Sequence, residues 1–249
     1  SAAVESAAAA APESQAATEP AGSGRRQPRA GLWSLCTPLL VAADALSLAD
    51  VSGEALAEAA DLLDDCAGRY GPLVGSFENP AKALAVQLMG SVPLVWGAGE
   101  LAGVAAYRFA CQMNENAKYA SSWGVLPEVL HNQVVAMDGP FASAAGDEND
   151  FFRDRLEDPF GSPRLHLVLL RDDAGEGETL ARHREAVAAT ATGRGVPVSE
   201  VTAEGEHPLS RLAGLVAATD YTSVYLALVL GVDPTPVPSI TDVKKRVSR

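Results

Sequence analysis

Positive charge is in short supply: 19 Lys and Arg face 32 Asp and Glu, a formal net charge of -13 with a pI near 4.7. That balance repels polyanions, so it excludes a nucleic-acid partner and an anionic membrane surface, and it suits a cytoplasmic protein. An anionic substrate then has to meet local cations that offset the global field. Cysteine is equally scarce. Cys36, Cys66 and Cys111 are far apart and show no CxxC spacing, so neither a disulfide framework nor a zinc site is expected. Cys111 reads as a small core residue. His166, His183 and His207 have no second ligand at i+3 or i+4, so no metal site is expected either. No GxSxG motif marks a nucleophilic serine. Hydrophobic runs break well short of membrane length, which argues against a membrane span. No cofactor is implied.

What the chain does have is apolar content. Its 249 residues are 47% hydrophobic, enough for a sizeable core in one or two domains. Residues 1–26 stand apart: Ala, Glu, Ser and Pro with little to bury, and no basic start or Leu-rich centre of a signal peptide. They read as a flexible linker or the remnant of a fragment, and the missing initiator Met points the same way. Residues 27–249 carry the fold.

Along that part, helical patterns cover 32–46, 54–67, 80–89 and 100–118, with Ser52 as an N-cap and Pro80 at a first helical position. Val92–Trp96 is a short apolar strand leading through Gly97-Ala-Gly99 into the fourth helix. The spacing is not GxGxxG, because the third glycine comes one residue late, so this is a tight strand-to-helix turn with amides that can face a ligand. Residues 133–137 fit a strand or a helix end, and 138–162 a polar surface loop. Arg164–Leu170 is an apolar strand of the kind buried in parallel sheets. A helix over 178–192, a strand over 196–202 and a long helix over 208–230 follow. Strand and helix in alternation predict an α/β fold, a three-layer αβα sandwich with a parallel sheet, plus long helices. Ser239-Ile-Thr-Asp242 reads as a capping box opening a terminal helix that docks through Ile240, Val243 and Val247, with Lys244 beside the docked face.

The chemistry concentrates in Met113–Asn132. At about 100° per residue, Leu101, Val104 and Ala105 share a face with Arg108, Gln112 and Glu115 in later turns. An apolar stripe that turns polar as it runs emerges into a cleft or into solvent. Asn114, Asn116, Lys118, His131 and Asn132 add polar density. A glutamate in a partly dry cleft has its neutral form favoured, which moves it towards general-base duty near neutral pH.

Four places resemble the bifunctional phosphoglucose/phosphomannose isomerases of the sugar isomerase (SIS) superfamily: Pro28-Arg29-Ala30; Trp96-Gly97-Ala98-Gly99; Asn114-Glu115-Asn116-Ala117-Lys118 through Leu126-Pro-Glu-Val-Leu-His131-Asn132; and Gly231-Val-Asp-Pro through Lys244. The third is specific and the others are supportive. The resemblance implies an SIS-type domain and an aldose–ketose isomerase acting on glucose 6-phosphate or mannose 6-phosphate. It assigns proton transfer between C2 and C1 to Glu115, ring opening to His131, enediolate stabilisation to Arg29 and assistance at the ring oxygen to Lys244. Gly97, Gly99, Asn132 and Thr235 become substrate-binding candidates. The partner it implies is a second copy in a homodimer, with His131 reaching the site across the interface.

Two departures stand out. The resemblance places the phosphate-binding loops in an earlier SIS domain, and nothing before Arg25 resembles such loops, so the chain reads as the second domain alone. A hydroxyl residue is expected seven positions before the lysine, where the chain has Val237, with Thr235 and Thr241 nearby. A mute phosphate site favours the competing reading, a non-catalytic SIS domain that binds a sugar phosphate to regulate or scaffold.

Overall fold

The computed structural model describes residues 28–142 and 164–248. The linker reading of residues 1–26 and most of the loop at 138–162 lie outside that range.

Four parallel strands form the sheet: β1 (Ser91–Ala98), β2 (Ser122–Leu126), β3 (Arg164–Arg171) and β4 (Val198–Thr202), in the order β2-β1-β3-β4. Register pairs Trp96 with Gly124 and with Leu169. The helices are α1 (Leu32–Ala45), α2 (Gly53–Tyr70), α3 (Pro80–Leu88), α4 (Gly99–Gln112), α5 (Glu178–Gly193), α6 (Pro208–Val229) and α7 (Pro238–Val247).

Period-two alternation gives each buried strand two apolar faces. Val95, Val168 and Leu170 pack with α3, α4 and α6 on one side. Leu94, Trp96, Leu167 and Leu169 pack on the other side against Val187 and Ala191 of α5, and against Val129 and Met137 from short 3-10 segments. Those are the three layers expected from the sequence.

Local signals explain most helix starts. Ser52 accepts from the Ala55 amide at 3.2 Å, and Asn79 from the Lys82 amide at 3.1 Å ahead of Pro80. Residues 133–137 resolve as part of a 3-10 helix, Gln133–Asp138. Strand β2 is absent from the sequence-based expectation, since Trp123 and a central glycine break an apolar run.

Other expectations are corrected. The buried side of α4 is Ala102, Ala105, Ala106, Phe109 and Ala110, while Val104 is exposed: small residues let α4 sit close to β1 and α6. Cys111 is half-buried, not core. The helical pattern over 100–118 ends as an α-helix at Gln112 and continues as a π-helical turn, Met113–Ala117. Helix α7 starts at Pro238 without a side-chain cap, so the capping box does not form, and it buries no residue. Ile240, Val243 and Val247 are exposed, because no apolar face of the described chain lies opposite them. Among the described residues one helix, α6, is long and apolar enough to cross a membrane by length and composition, contrary to the expectation of broken runs. Here it is the central core helix, with Leu215 and Leu226 fully buried among α3, α4 and the sheet.

Candidate active site

The π turn sets the position of Glu115. Met113, Asn116 and Ala117 are buried and anchor it; Asn116 donates to the Ser223 hydroxyl of α6 at 2.8 Å. Lys118 leaves the turn in the left-handed region, with φ 54, and the Tyr119 amide returns to the Met113 carbonyl at 3.1 Å. The Tyr119 hydroxyl donates to the Leu88 and Ser91 carbonyls, tying this segment to the N-terminal edge of the sheet. With its neighbours fixed inward, the Glu115 side chain turns out, 37% exposed.

A mostly buried cation meets it. The Arg29 side chain is 8% exposed and holds Nη1 3.6 Å from Glu115 Oε2. Its Nη2 donates to the carbonyls of Pro234 at 2.7 Å and Thr235 at 2.9 Å. Lys118 Nζ joins from the other side, donating to the carbonyls of Glu115 at 2.9 Å, Asp233 at 3.0 Å and Pro234 at 3.2 Å. Two cations therefore grip one loop, Arg29 facing the Glu115 carboxylate and Lys118 its main-chain carbonyl. Burial pulls the Lys118 ammonium below its ordinary range and nearby Arg29 adds to that, while Asp233 and Glu115 oppose it.

Behind Arg29 stands a second network. Arg108 binds Asp220 through Nε at 3.0 Å and Nη2 at 2.6 Å, and Nη2 also donates to the Arg29 carbonyl at 3.0 Å. Gln112 adds 3.1 Å to Asp220. Burial pushes the Asp220 carboxyl up, and the Arg108 hydrogen bond and charge hold it back. Sequence reading placed Arg108 and Gln112 on the face of Glu115 but missed Asp220; the available signal was a lone acid inside an apolar helix.

Of the sequence candidates, the fold thus brings Arg29, Glu115 and Thr235 together, the last through its carbonyl. It does not bring the others to them. Helix α4 runs antiparallel to β2: Gly103 abuts Val125, and one turn later Tyr107 stacks on Trp123 with centroids 4.9 Å apart. Glu115 therefore lies beyond the start of β2. At the far end of β2 the chain passes a cis Leu126–Pro127 bond and folds back along the strand: Val129 packs on Gly124, and Gln133 bonds the Ser122 hydroxyl at 3.3 Å and the Trp123 carbonyl at 3.0 Å. His131 and Asn132 are exposed on this returning segment.

Gly97 and Gly99 are at that same far edge. A Cβ on Gly97 would lie 2.3 Å from the Ala102 carbonyl carbon, so the glycine lets α4 begin against β1. Gly99 has φ +86, with Leu180 packed over it. Lys244 is exposed on α7, and among the described residues Glu115 pairs with Arg29 and not with Lys244. Asn114 spends its amide on the Ala110 carbonyl. Two cavities, of about 510 Å³ beside β4 and about 640 Å³ beside Phe77 and Leu228, also lie away from Glu115.

Residues 77–247, more than half of the chain, match the family described as the bacterial phospho-glucose isomerase C-terminal SIS domain. The chain belongs to that family. Curated relatives include the bifunctional phosphoglucose/phosphomannose isomerase of Caldicellulosiruptor bescii, 27% identical over 222 residues that make up 89% of this chain and 60% of that protein. The protein of the same name in Aquifex aeolicus is 26% identical over 76% of this chain and 52% of its own length. This SIS-domain chain thus spans little more than half the length of the curated relatives it matches. Among solved structures, a glucose-6-phosphate isomerase like protein from Thermus thermophilus superposes with a TM-score of 0.54 at 26% identity, covering 76% of this chain and 55% of that one.

Proposed function

We propose that this SIS domain supplies the proton-transfer half of an aldose–ketose isomerase that interconverts glucose 6-phosphate or mannose 6-phosphate with fructose 6-phosphate. The observation that carries the reading is the Arg29–Glu115 pair: a partly exposed carboxylate with a mostly buried guanidinium held 3.6 Å away by main-chain carbonyls. The names of the curated relatives support the same reaction class.

In this reading the open-chain sugar lies across Glu115. The carboxylate takes the proton from C2 of the aldose and returns it to C1, so one base serves both halves. The electron pair left at C2 is delocalised as a cis-enediolate, whose oxygen charge is stabilised by the fixed Arg29 guanidinium, a preorganised cation that needs no reorganisation. Because C2 is planar at that stage, both C2 epimers can be formed from it. His131 opens the sugar ring and Lys244 assists at the ring oxygen. Among the described residues Glu115 pairs with Arg29 and His131 is exposed, so in this reading the His131 that serves a given Glu115 comes from a second copy of this chain. Asn132, beside it, reaches the substrate by that route, with Gly99 at the C-terminal edge of the sheet and Thr235 beside Arg29, while Gly97 lets α4 begin against β1.

The test is a coupled assay of the full-length gene product with fructose 6-phosphate, comparing it with Glu115→Gln. Glutamine keeps the shape and removes the base, so kcat should fall about 10²- to 10⁴-fold. Equal activity in the two proteins would remove Glu115 from its role and leave a sugar-phosphate-binding domain as the better account.

A further inference from the structure

Arg29 sits in a three-residue 3-10 turn, Pro28–Ala30, followed by a helix in which no residue is buried. Packing of its own element therefore does little to fix it. Its main chain is held instead by Arg108, whose Nη2 reaches the Arg29 carbonyl at 3.0 Å. The same Nη2 and the neighbouring Nε are bound by Asp220, and Gln112 shares Asp220 Oδ1. Asp220 is a carboxylate in a largely apolar helix, beside Ser223, which donates to the Asp220 carbonyl at 2.7 Å and accepts from Asn116 in the π turn. The Asp220 carboxylate thus reaches the Arg29 main chain through Arg108, while its own main-chain carbonyl, through Ser223, is linked to the turn that carries Glu115.

A pair that served only to tie α4 to α6 would be complete with Arg108 bound to Asp220. The extra donation to a main-chain carbonyl of another element does not improve that tie. It transmits the position of Asp220 to Arg29, and a guanidinium can do this because its donors are fixed in one plane, whereas an ammonium presents a single point.

We propose that Asp220 is a positioning residue for Arg29, acting through the Arg108 guanidinium. The kinetic part of this rests on the isomerase reading; the structural part does not. Misplacement of Arg29 weakens an interaction made with the enediolate and not with the ground-state sugar, so the loss belongs in kcat and not in KM.

The test uses Asp220→Asn and Arg108→Lys in the full-length gene product, each alone and combined with Arg29→Ala. Arg108→Lys keeps a charge opposite Asp220 but is shorter and lacks the planar fork that spans Asp220 and the Arg29 carbonyl together. Each single variant should lower kcat about tenfold with KM unchanged within about twofold. In the Arg29→Ala background neither should lower kcat further by more than about twofold, because residues acting as one unit are not additive. Independently of turnover, amide exchange over residues 28–35 should accelerate about tenfold in both variants while β1 and β3 keep their protection. Unchanged exchange in residues 28–35 overturns the proposal, as do kcat losses that multiply with that of Arg29→Ala. If the unmodified protein shows no isomerase activity but exchange accelerates, the isomerase reading fails and the positioning of Arg29 stands.

Discussion

Glu115 and His131 sit on the two turns that bracket β2 in the chain, the first on the π turn before the strand and the second on the 3-10 turn after it. The segment after β2 folds back along the strand, so that Gln133 bonds Ser122 and Trp123. Sixteen positions apart in sequence, they differ in surroundings: Glu115 faces Arg29, and His131 is exposed. In the proposed dimer an exposed His131 serves the partner's Glu115, and a closed two-fold pair would repeat that contact at both sites.

Mixing therefore discriminates. Glu115→Gln and His131→Ala should each be nearly inactive alone. Co-expressed in equal amounts, about half the dimers are mixed and each holds one intact site, so about a quarter of normal activity should return. A same-chain arrangement predicts no recovery, and a coupled isomerase assay on the co-purified protein separates the two.

The Lys118 clamp makes a different prediction. Its ammonium fixes the carbonyls of Glu115, Asp233 and Pro234, and Arg29 shares Pro234. Lys118→Met keeps most of the side-chain bulk and removes every donor. Glu115 and the 233–235 loop that holds the Arg29 guanidinium should then shift relative to one another, which on the proposed function lowers kcat/KM about tenfold, on the scale expected for small misplacement of a reacting group. The apolar core is untouched, so the thermal midpoint should move only a few degrees.

Much of this arrangement was legible in the sequence because it follows from burial. The apolar runs of β1 and β3 and the caps at Ser52 and Asn79 are local signals that the packing agrees with, and the family motif named Glu115 and Arg29. What stayed hidden was set by distance in the chain. The bond from Arg29 to the Pro234 and Thr235 carbonyls spans more than two hundred residues, and main-chain acceptors leave no trace in residue identity. Asp220 carries no local signal of its role, because its partner Arg108 is 112 positions away in sequence. Helix α7 misled for the opposite reason: its amphipathic pattern is clear, but a pattern states which face is apolar and not whether anything lies opposite it.

Gly97 also shows how one residue invites two readings. As a substrate-binding glycine it would raise KM when substituted; as a packing glycine it would cost stability. A Cβ there meets main-chain atoms of Ala102 and Gly103 at 2.3 Å, and backbone cannot swing aside as a side-chain tip can. Gly97→Ala should destabilise the fold by about 3 kcal/mol or more, a fall in Tm of roughly 10 °C for a chain of this size. A normal Tm with an elevated KM would return Gly97 to the binding site.

His166 supplies the pH-dependent prediction. It is buried in β3, with Nε2 2.8 Å from the Ser199 hydroxyl, and Ser199 in turn donates to Gln87 of α3. Burial pulls its pKa below the ordinary value of 6.5. A histidine depressed in the folded state is neutral there while the unfolded chain takes up a proton, so the unfolded state gains on acidification. The contribution of His166 is thus fully present above about pH 6.5 and is lost as pH falls through the folded-state pKa. Denaturant unfolding at about pH 7.5 and 5.5 should show the native protein losing more stability than His166→Gln over that interval, with a slope difference of at most about 1.4 kcal/mol per pH unit for one proton. Parallel losses in the two proteins would mean that His166 titrates alike in both states, and that the Ser199 contact accommodates the charged ring.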